Sequence, residues 1–235
     1  MVSARAAEAG VIAFEGVGFS YGARPVLADA SFDLEPGSLH FLTGRSGAGK
    51  TTLMRLIHLS LLPTAGRVML FGRDTRAVGR RERALLRRRL GLILQERDLL
   101  DHMTVRENIA LPLRVAGEDV AARAPDIAAL AAWVGLTELL DARPPQLSSG
   151  EQRRAAVARA LIAAPDLVLA DEPTGDVDSE GAERILRLFL ELHEAGRTVL
   201  IATHDLTLIR KAQGRSQARP LRLERRRAIR PPAPL

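Results

Sequence analysis

At 235 residues, with 46% apolar and 26% charged side chains, the chain can bury a full core and has the balance of a soluble globular protein, which excludes fibrous and disordered classes. It has no cysteine, so disulfides and thiol chemistry are excluded and a cytosolic setting fits; no apolar run approaches the ~20 residues that span a bilayer, the longest being about 127–136. The net charge of +6 is uneven, because residues 210–235 hold nine Lys/Arg and one acid, net +8, which leaves −2 on the rest.

Residues 1–10 carry an acid and no apolar core, so no export signal is expected there. Residues 11–17 and 30–34 read as strands around a turn-rich stretch, Ser20 to Pro25. Within it Tyr21 is the single tyrosine of the chain. Its ring has two readings, stacking on a nucleotide base or packing the hairpin.

Residues 39–43 read as a strand, and Leu53, Leu56 and Ile57 give the next helix an apolar face. Between them Gly44, Arg45, Ser46, Gly47, Ala48, Gly49, Lys50, Thr51 and Thr52 satisfy the spacing G-x-x-x-x-G-K-[ST] of a phosphate-binding loop. The glycines let backbone N–H groups converge on a phosphate chain at a helix N-terminus. Lys50 reaches the terminal phosphates, and the Thr51 hydroxyl is a ligand for Mg²⁺. Of 34 basic residues only Lys50 and Lys211 are lysine, so a chain that otherwise uses arginine has placed a compact ammonium in this loop.

Gly66 to Gly72 reads as a short strand. Residues 73–89 are densely basic around Leu85 and Leu86 and read as a solvated helix face or a contact for an anionic partner. A buried strand at 90–94 leads to Gln95, whose amide is a plausible ligand for Mg²⁺ or an attacking water. Residues 96–147 are mostly helical, broken by Pro112, Pro125, Pro144 and Pro145, and form a candidate helical subdomain. It ends in Leu147-Ser148-Ser149-Gly150-Glu151-Gln152, followed by a helix expected over 153–164. Ser148 reads either as an N-cap boxed by Glu151 or as an anion ligand at that helix start.

Residues 167–172 form an apolar strand ending in Asp171 and Glu172, where an open parallel sheet places its ligands. Asp171 suits a Mg²⁺ shell, and Glu172 suits polarising a water for attack on a γ-phosphate; capping of the next helix is the plainer reading of both. Residues 198–203 are another buried strand, and His204 follows it at the same rim.

Together these stretches resemble the nucleotide-binding subunits of ABC-type transport ATPases, over about residues 11–212 and in the family's order. The resemblance implies an α/β fold, a P-loop NTPase (RecA-like) core sheet with an antiparallel β subdomain and an inserted helical subdomain at about 96–164. On this reading the ATPase domain covers 1–212, and 213–235 is a basic, proline-ended tail. It implies ATP and Mg²⁺ as cofactors, Tyr21 at the adenine, residues 44–52 on the phosphates, and Thr51, Gln95 and Asp171 at the metal. Glu172 would be the base, His204 the switch histidine and Gln95 the glutamine loop. Ser148 to Glu151 match the signature motif, and residues 175–178, with Asp178, the loop that crosses the dimer. The common signature has glycine where Ser149 stands, which puts the hydrolysis rate rather than binding in question.

The resemblance further implies a homodimer with ATP between Lys50 of one chain and Ser148 and Gly150 of the other, docked peripherally on an integral membrane partner at the cytoplasmic face of the inner membrane. The wording of residues 41–50, 104–113, 170–178 and 202–205 is similar to a branch serving bacterial cell division, and in part to lipoprotein-release and macrolide-export ATPases. A soluble ATPase of this type acting on nucleic acid or ribosomes is the competing class. It calls for a second ATPase unit or a long coiled coil, and neither pattern is present, so nucleic acid is not an expected partner. The basic tail reads either as a solvated end or as a contact for anionic lipid.

Overall fold

The computed structural model describes residues 10–94, 99–175 and 177–224. It opens with a hairpin, β1 (Ile12–Tyr21) and β2 (Arg24–Leu34). In β2, Ala30, Phe32 and Leu34 are buried while Ser31 and Asp33 between them are exposed, the period of a sheet with one wet face. Phe14 stacks on Phe32 across the pair with centroids 4.5 Å apart. With β4 (Ala65–Leu70) and β5 (Arg73–Asp74) these strands make an antiparallel sheet in the order β2-β1-β4-β5.

The second sheet is parallel, in the order β6-β7-β8-β3-β9: β3 (Leu39–Thr43), β6 (Leu90–Ile93), β7 (Leu167–Asp171), β8 (Thr198–Ala202) and β9 (Arg219–Arg222). Every residue of β7 and β8 is buried, so their sequences are continuous apolar runs without alternation. The pleat still sorts them: Val168, Ala170, Val199 and Ile201 enter the core on one face, and Leu167, Leu169, Leu200 and Ala202 that on the other. The first face is covered by α5 (Ser149–Leu161), α6 (Ser179–Glu194) and α7 (Leu206–Gln213). The second is covered by α1 (Lys50–Ile57) and the antiparallel sheet.

The basic stretch forms α2 (Arg80–Arg88) just ahead of β6. Between β6 and β7 the chain builds α3 (Val105–Ala116), α4 (Ala124–Trp133) and two short 3₁₀ turns before α5. Val105, Ile109 and Leu113 of α3 and Ile127 and Ala131 of α4 share one core with α5. The start of α3 is set locally, since Thr104 accepts from Glu107 N and its own N–H donates to the Glu107 carboxylate at 2.8 Å.

Two boundaries differ from expectation. The helix expected over 153–164 starts at Ser149, because Ser148 and Glu151 form a complete capping box, and it ends at Leu161 ahead of a turn in which Ala164 has φ 48°. The domain does not end at residue 212: α7 runs to Gln213, and β9 then pairs in parallel with β3, Thr43 opposite Arg222. Leu221 and Leu223 are 3% and 2% exposed while Arg222 and Glu224 point outward, so a buried strand lies inside the stretch taken as tail. Its arginines mask the alternation. Residues 225–235 lie outside the described residues. Among the described residues, no helix is long and apolar enough to cross a membrane.

Candidate active site

The loop from Gly44 to Gly49 joins the carboxyl end of β3 to α1, and Gly44, Gly47 and Gly49 have φ of 159°, 72° and 107°. Glycine serves close approach here as well as the turn. A Cβ on Gly44 would sit 2.6 Å from the Leu223 carbonyl oxygen beyond β9, and one on Gly49 would sit 3.0 Å from both Val26 and Leu27 side chains. Gly49 is the N-cap of α1 and offers no side-chain cap, so the first-turn N–H groups keep their donors for an anion. Lys50 folds back across the loop, Nζ donating to the Gly44 carbonyl at 2.9 Å.

The acids arrive from the next strands. Asp171 ends β7, 3% exposed, and its Oδ2 accepts from the Thr51 hydroxyl at 2.8 Å. Burial pushes the Asp171 carboxyl above its ordinary range, and the Thr51 hydrogen bond pulls against that. A hydroxyl and a carboxylate meeting beside Lys50 are hard oxygen donors, the set that Mg²⁺ takes together with substrate phosphates, so this pair fits that ion.

Glu172 leaves the strand in the left-handed region at φ 48°, its N–H donating to Ala202 O at 2.8 Å. A non-glycine residue there costs about 1–3 kcal/mol, and three contacts hold it. Besides the backbone bond, Glu172 Oε2 accepts from the Thr203 hydroxyl at 2.9 Å and Oε1 lies 2.7 Å from His204 Nδ1. Thr203 is itself fully buried.

These groups line one cavity of about 760 Å³: Gly44 through Thr52, Asp171, Glu172 and His204, with Tyr21, Arg24 and Val26 on its far wall. That volume falls in the ordinary range for a small-ligand site. Tyr21 is 45% exposed and edge-on to Phe19 at 4.8 Å, so it packs the hairpin and opens to the cavity at once. The hairpin pairs Tyr21 with Arg24, which carries a cation to the same wall. Lysine and backbone donors on one side and an anchored carboxylate on the other can bind a polyphosphate and orient a water toward its end.

Ser148, Gly150 and Asp178 do not line this cavity. Ser148 caps α5, its hydroxyl and N–H both donating to Glu151 Oε2, at 2.8 and 2.7 Å, and these bonds hold the Glu151 carboxyl below its ordinary range. Asp178 caps α6, accepting from Gly181 N at 2.7 Å. Gln95 and Asp176 lie outside the described residues. Arg24 and Val26 line the site and Thr203 holds Glu172; Asn108 and Arg153 are buried outside its lining, and none of the five was singled out from the sequence. Hairpin register signals Arg24, whereas a cation buried like Arg153 on a helix reading Arg153-Arg154 has no local signal.

The cavity, with its phosphate loop, strand-end acids and histidine at the rim of a parallel sheet, defines an ABC-type ATPase. The ABC transporter family model matches residues 27–175, and the chain belongs to that family. It is 44% identical over 203 residues, 85% of this chain and 90% of the relative, to the cell division ATP-binding protein FtsE of Escherichia coli (strain K12). It is 40% identical over 192 residues, 80% of this chain, to the methionine import ATP-binding protein MetN of Cereibacter sphaeroides, of which it spans 54%. Among solved structures it is similar to the dimeric post-hydrolysis state of the ATP-binding cassette MJ0796 bound to ADP and Pi, at TM-score 0.82 and 28% identity, covering 95% of this chain and 100% of that one.

Proposed function

We propose that this chain is the ATP-hydrolysing subunit of a membrane complex acting in cell division, paired with an FtsX-like integral membrane protein at the cytoplasmic face of the inner membrane. The observation that carries the reading is the 44% identity to FtsE across 90% of that protein, in a chain whose own site holds a carboxylate at the end of the phosphate loop's cavity. ATP would lie with adenine against Tyr21 and its phosphates on residues 44–52. Thr51 and Asp171, together with Gln95, would hold Mg²⁺, which when bound would neutralise charge on the phosphates. Glu172 takes the proton of the attacking water, and Thr203 and His204 hold its two oxygens in place.

Two copies arranged head to tail would bring Ser148 and Gly150 of one to the ATP on Lys50 of the other, with Asp178 at the seam. The polar groups at 148 and 178 are exposed and lie away from their own chain's cavity, which supports that arrangement. The segment 96–113, which leaves the sheet after β6, would dock on the membrane partner. Residues 225–235 carry four arginines and no acid, and suit anionic lipid at about 1 kcal/mol per basic residue near the surface.

A second reading, an ATPase subunit of a transporter, is favoured by the 40% identity to MetN. Depleting the protein separates them. Filamentous cells, with an FtsX-like protein co-purifying from detergent extracts, are the expected result; normal septation with lost transport or lipoprotein release would move the assignment to a transporter subunit.

A further inference from the structure

Arg153 is 1% exposed, one of the largest fully buried side chains among the described residues. It stands on α5 three residues after Gly150, so the two share a face of the helix that starts at the Ser148 cap. Its Nη1 donates to the carbonyl of Leu94, at the carboxyl end of β6. A guanidinium taken out of water is costly unless it is well bonded, so a cation held here fixes the distance between the helix and the strand end more firmly than an apolar contact would.

The opposing side of the same connection is held by a second buried polar group. Asn108 of α3, fully buried, accepts from Leu100 N at 2.8 Å and donates to Leu100 O at 3.1 Å. Both the strand end and the start of the helical segment are therefore fastened to α3 and α5, which share one core. The Arg153 charge acts on Asp171 less than burial, Thr51, Glu172 or Lys50 does.

We infer that Arg153 is a positioning residue for the shared site: it ties the first turn of α5, with Ser148 and Gly150, to the end of β6, the strand paired with β7 that delivers Asp171 to the cavity, so that the surface offered to a second copy is set by that strand end. This rests on the head-to-tail reading of Ser148 and Gly150. The guanidinium carries the tie, and the chain's own phosphate loop does not depend on it.

The test uses the full chain with Glu172→Gln, so that bound ATP persists, and reads ATP-dependent dimerisation by analytical ultracentrifugation beside ATP affinity of the dilute monomer. Adding Arg153→Met should raise the ATP concentration for half-dimerisation by about tenfold, with monomer affinity changed less than about twofold. Arg153→Lys, which keeps a cationic donor of similar reach for Leu94, should recover most of the loss and carries the comparison if the methionine variant does not fold. Equal dimerisation of Glu172→Gln with and without Arg153→Met overturns the assignment of Arg153 alone. Failure of Glu172→Gln itself to dimerise with ATP overturns the head-to-tail reading and the inference with it. Parallel loss of monomer affinity and dimerisation in both variants would make Arg153 a structural residue and overturn its positioning role.

Discussion

The two ends of the site are built in opposite ways. At the phosphate loop, groups from β1, the β3–α1 loop, β7 and β8 converge on one cavity and bond to one another: Thr51 to Asp171, Thr203 and His204 to Glu172, Lys50 across its own loop. Ser148 and Asp178, among the described residues, bond within the first turn of the helices they cap and do not line that cavity. A sheet can preassemble a site because adjacent parallel strands end at one rim. A helix N-terminus is satisfied by its own cap and keeps its outward donors for something that arrives. On the head-to-tail proposal, the first half is the part whose chemistry belongs to one chain, and the second is the part that would need another.

Glu172→Gln tests the first half at its most sensitive point. The amide keeps the volume and the Thr203 contact but cannot take a proton, so turnover should fall by about 10²–10⁴-fold while nucleotide binding to the dilute chain is unchanged. Steady-state phosphate release and equilibrium dialysis measure the two, and normal hydrolysis would remove Glu172 from the role of base.

The next effect falls on the support of the same half. Ending the chain after Gln213 strips β9, and with it Leu221 and Leu223, which are 3% and 2% exposed, and the carbonyl packed on Gly44. Buried leucines are worth about 2–5 kcal/mol each, a large part of a typical 5–15 kcal/mol, so this truncation should fail to melt cooperatively. Ending it after Glu224 keeps the strand and should melt with the full chain while binding anionic liposomes less well, in a salt-dependent way. Equal melting of both truncations would show that β9 contributes nothing to the loop it flanks.

These cases also show what was legible beforehand. The phosphate loop, the buried strands β3, β7 and β8 and the strand-end acids could be read because their chemistry is local: glycine spacing, unbroken apolar runs, and acids directly after them. β9 could not, since two leucines between arginines do not rise above a basic background, and its partner β3 lies about 180 residues earlier. The start of α5 was misplaced for a related reason, because Ser148 and Glu151 had both a capping reading and a ligand reading, and only the bonds decide that capping sets the helix start. Arg153 and Asn108 are buried polar groups that bond backbone atoms of Leu94 and Leu100, which no side-chain pattern announces.

Acid should strike the two halves in order. His40 of β3 is 5% exposed, neither ring nitrogen has a hydrogen-bond partner among the described residues, and burial, with the Arg219 charge, lowers its pKa from 6.5 to about 4. Because the folded value lies below the unfolded one, the contribution is whole above pH 6.5 and is lost as pH falls through 6.5 toward 4, on the order of 3 kcal/mol by linkage. His58 at the end of α1 is lowered to about 4 by burial in the same way. The Glu151 carboxyl at the signature cap is depressed, so its stabilisation persists until the pH drops below the ordinary 4.5. His40→Leu should flatten part of the stability loss between pH 6.5 and 4 in urea titrations and leave the loss below 4.5 in place; an unchanged profile would show that protonation of His40 does not limit the fold.

The smallest effect probes the second half alone. Ser149 is the first residue of α5, half-buried between the exposed Ser148 and the buried Gly150, and the family's usual glycine is absent there. On the head-to-tail proposal its side chain stands at the surface that a second copy and its nucleotide would meet. Ser149→Gly should therefore leave ATP affinity of the dilute chain unchanged, and raise turnover and lower the ATP needed for dimerisation by the same factor, about two- to fivefold, or up to roughly 1 kcal/mol. The matched factor is the informative part, because a change of base or metal chemistry would move turnover without moving dimerisation. Turnover that rises with dimerisation untouched would place the effect of residue 149 inside its own chain, and the division of the site into a preassembled half and a waiting half would fail at that residue.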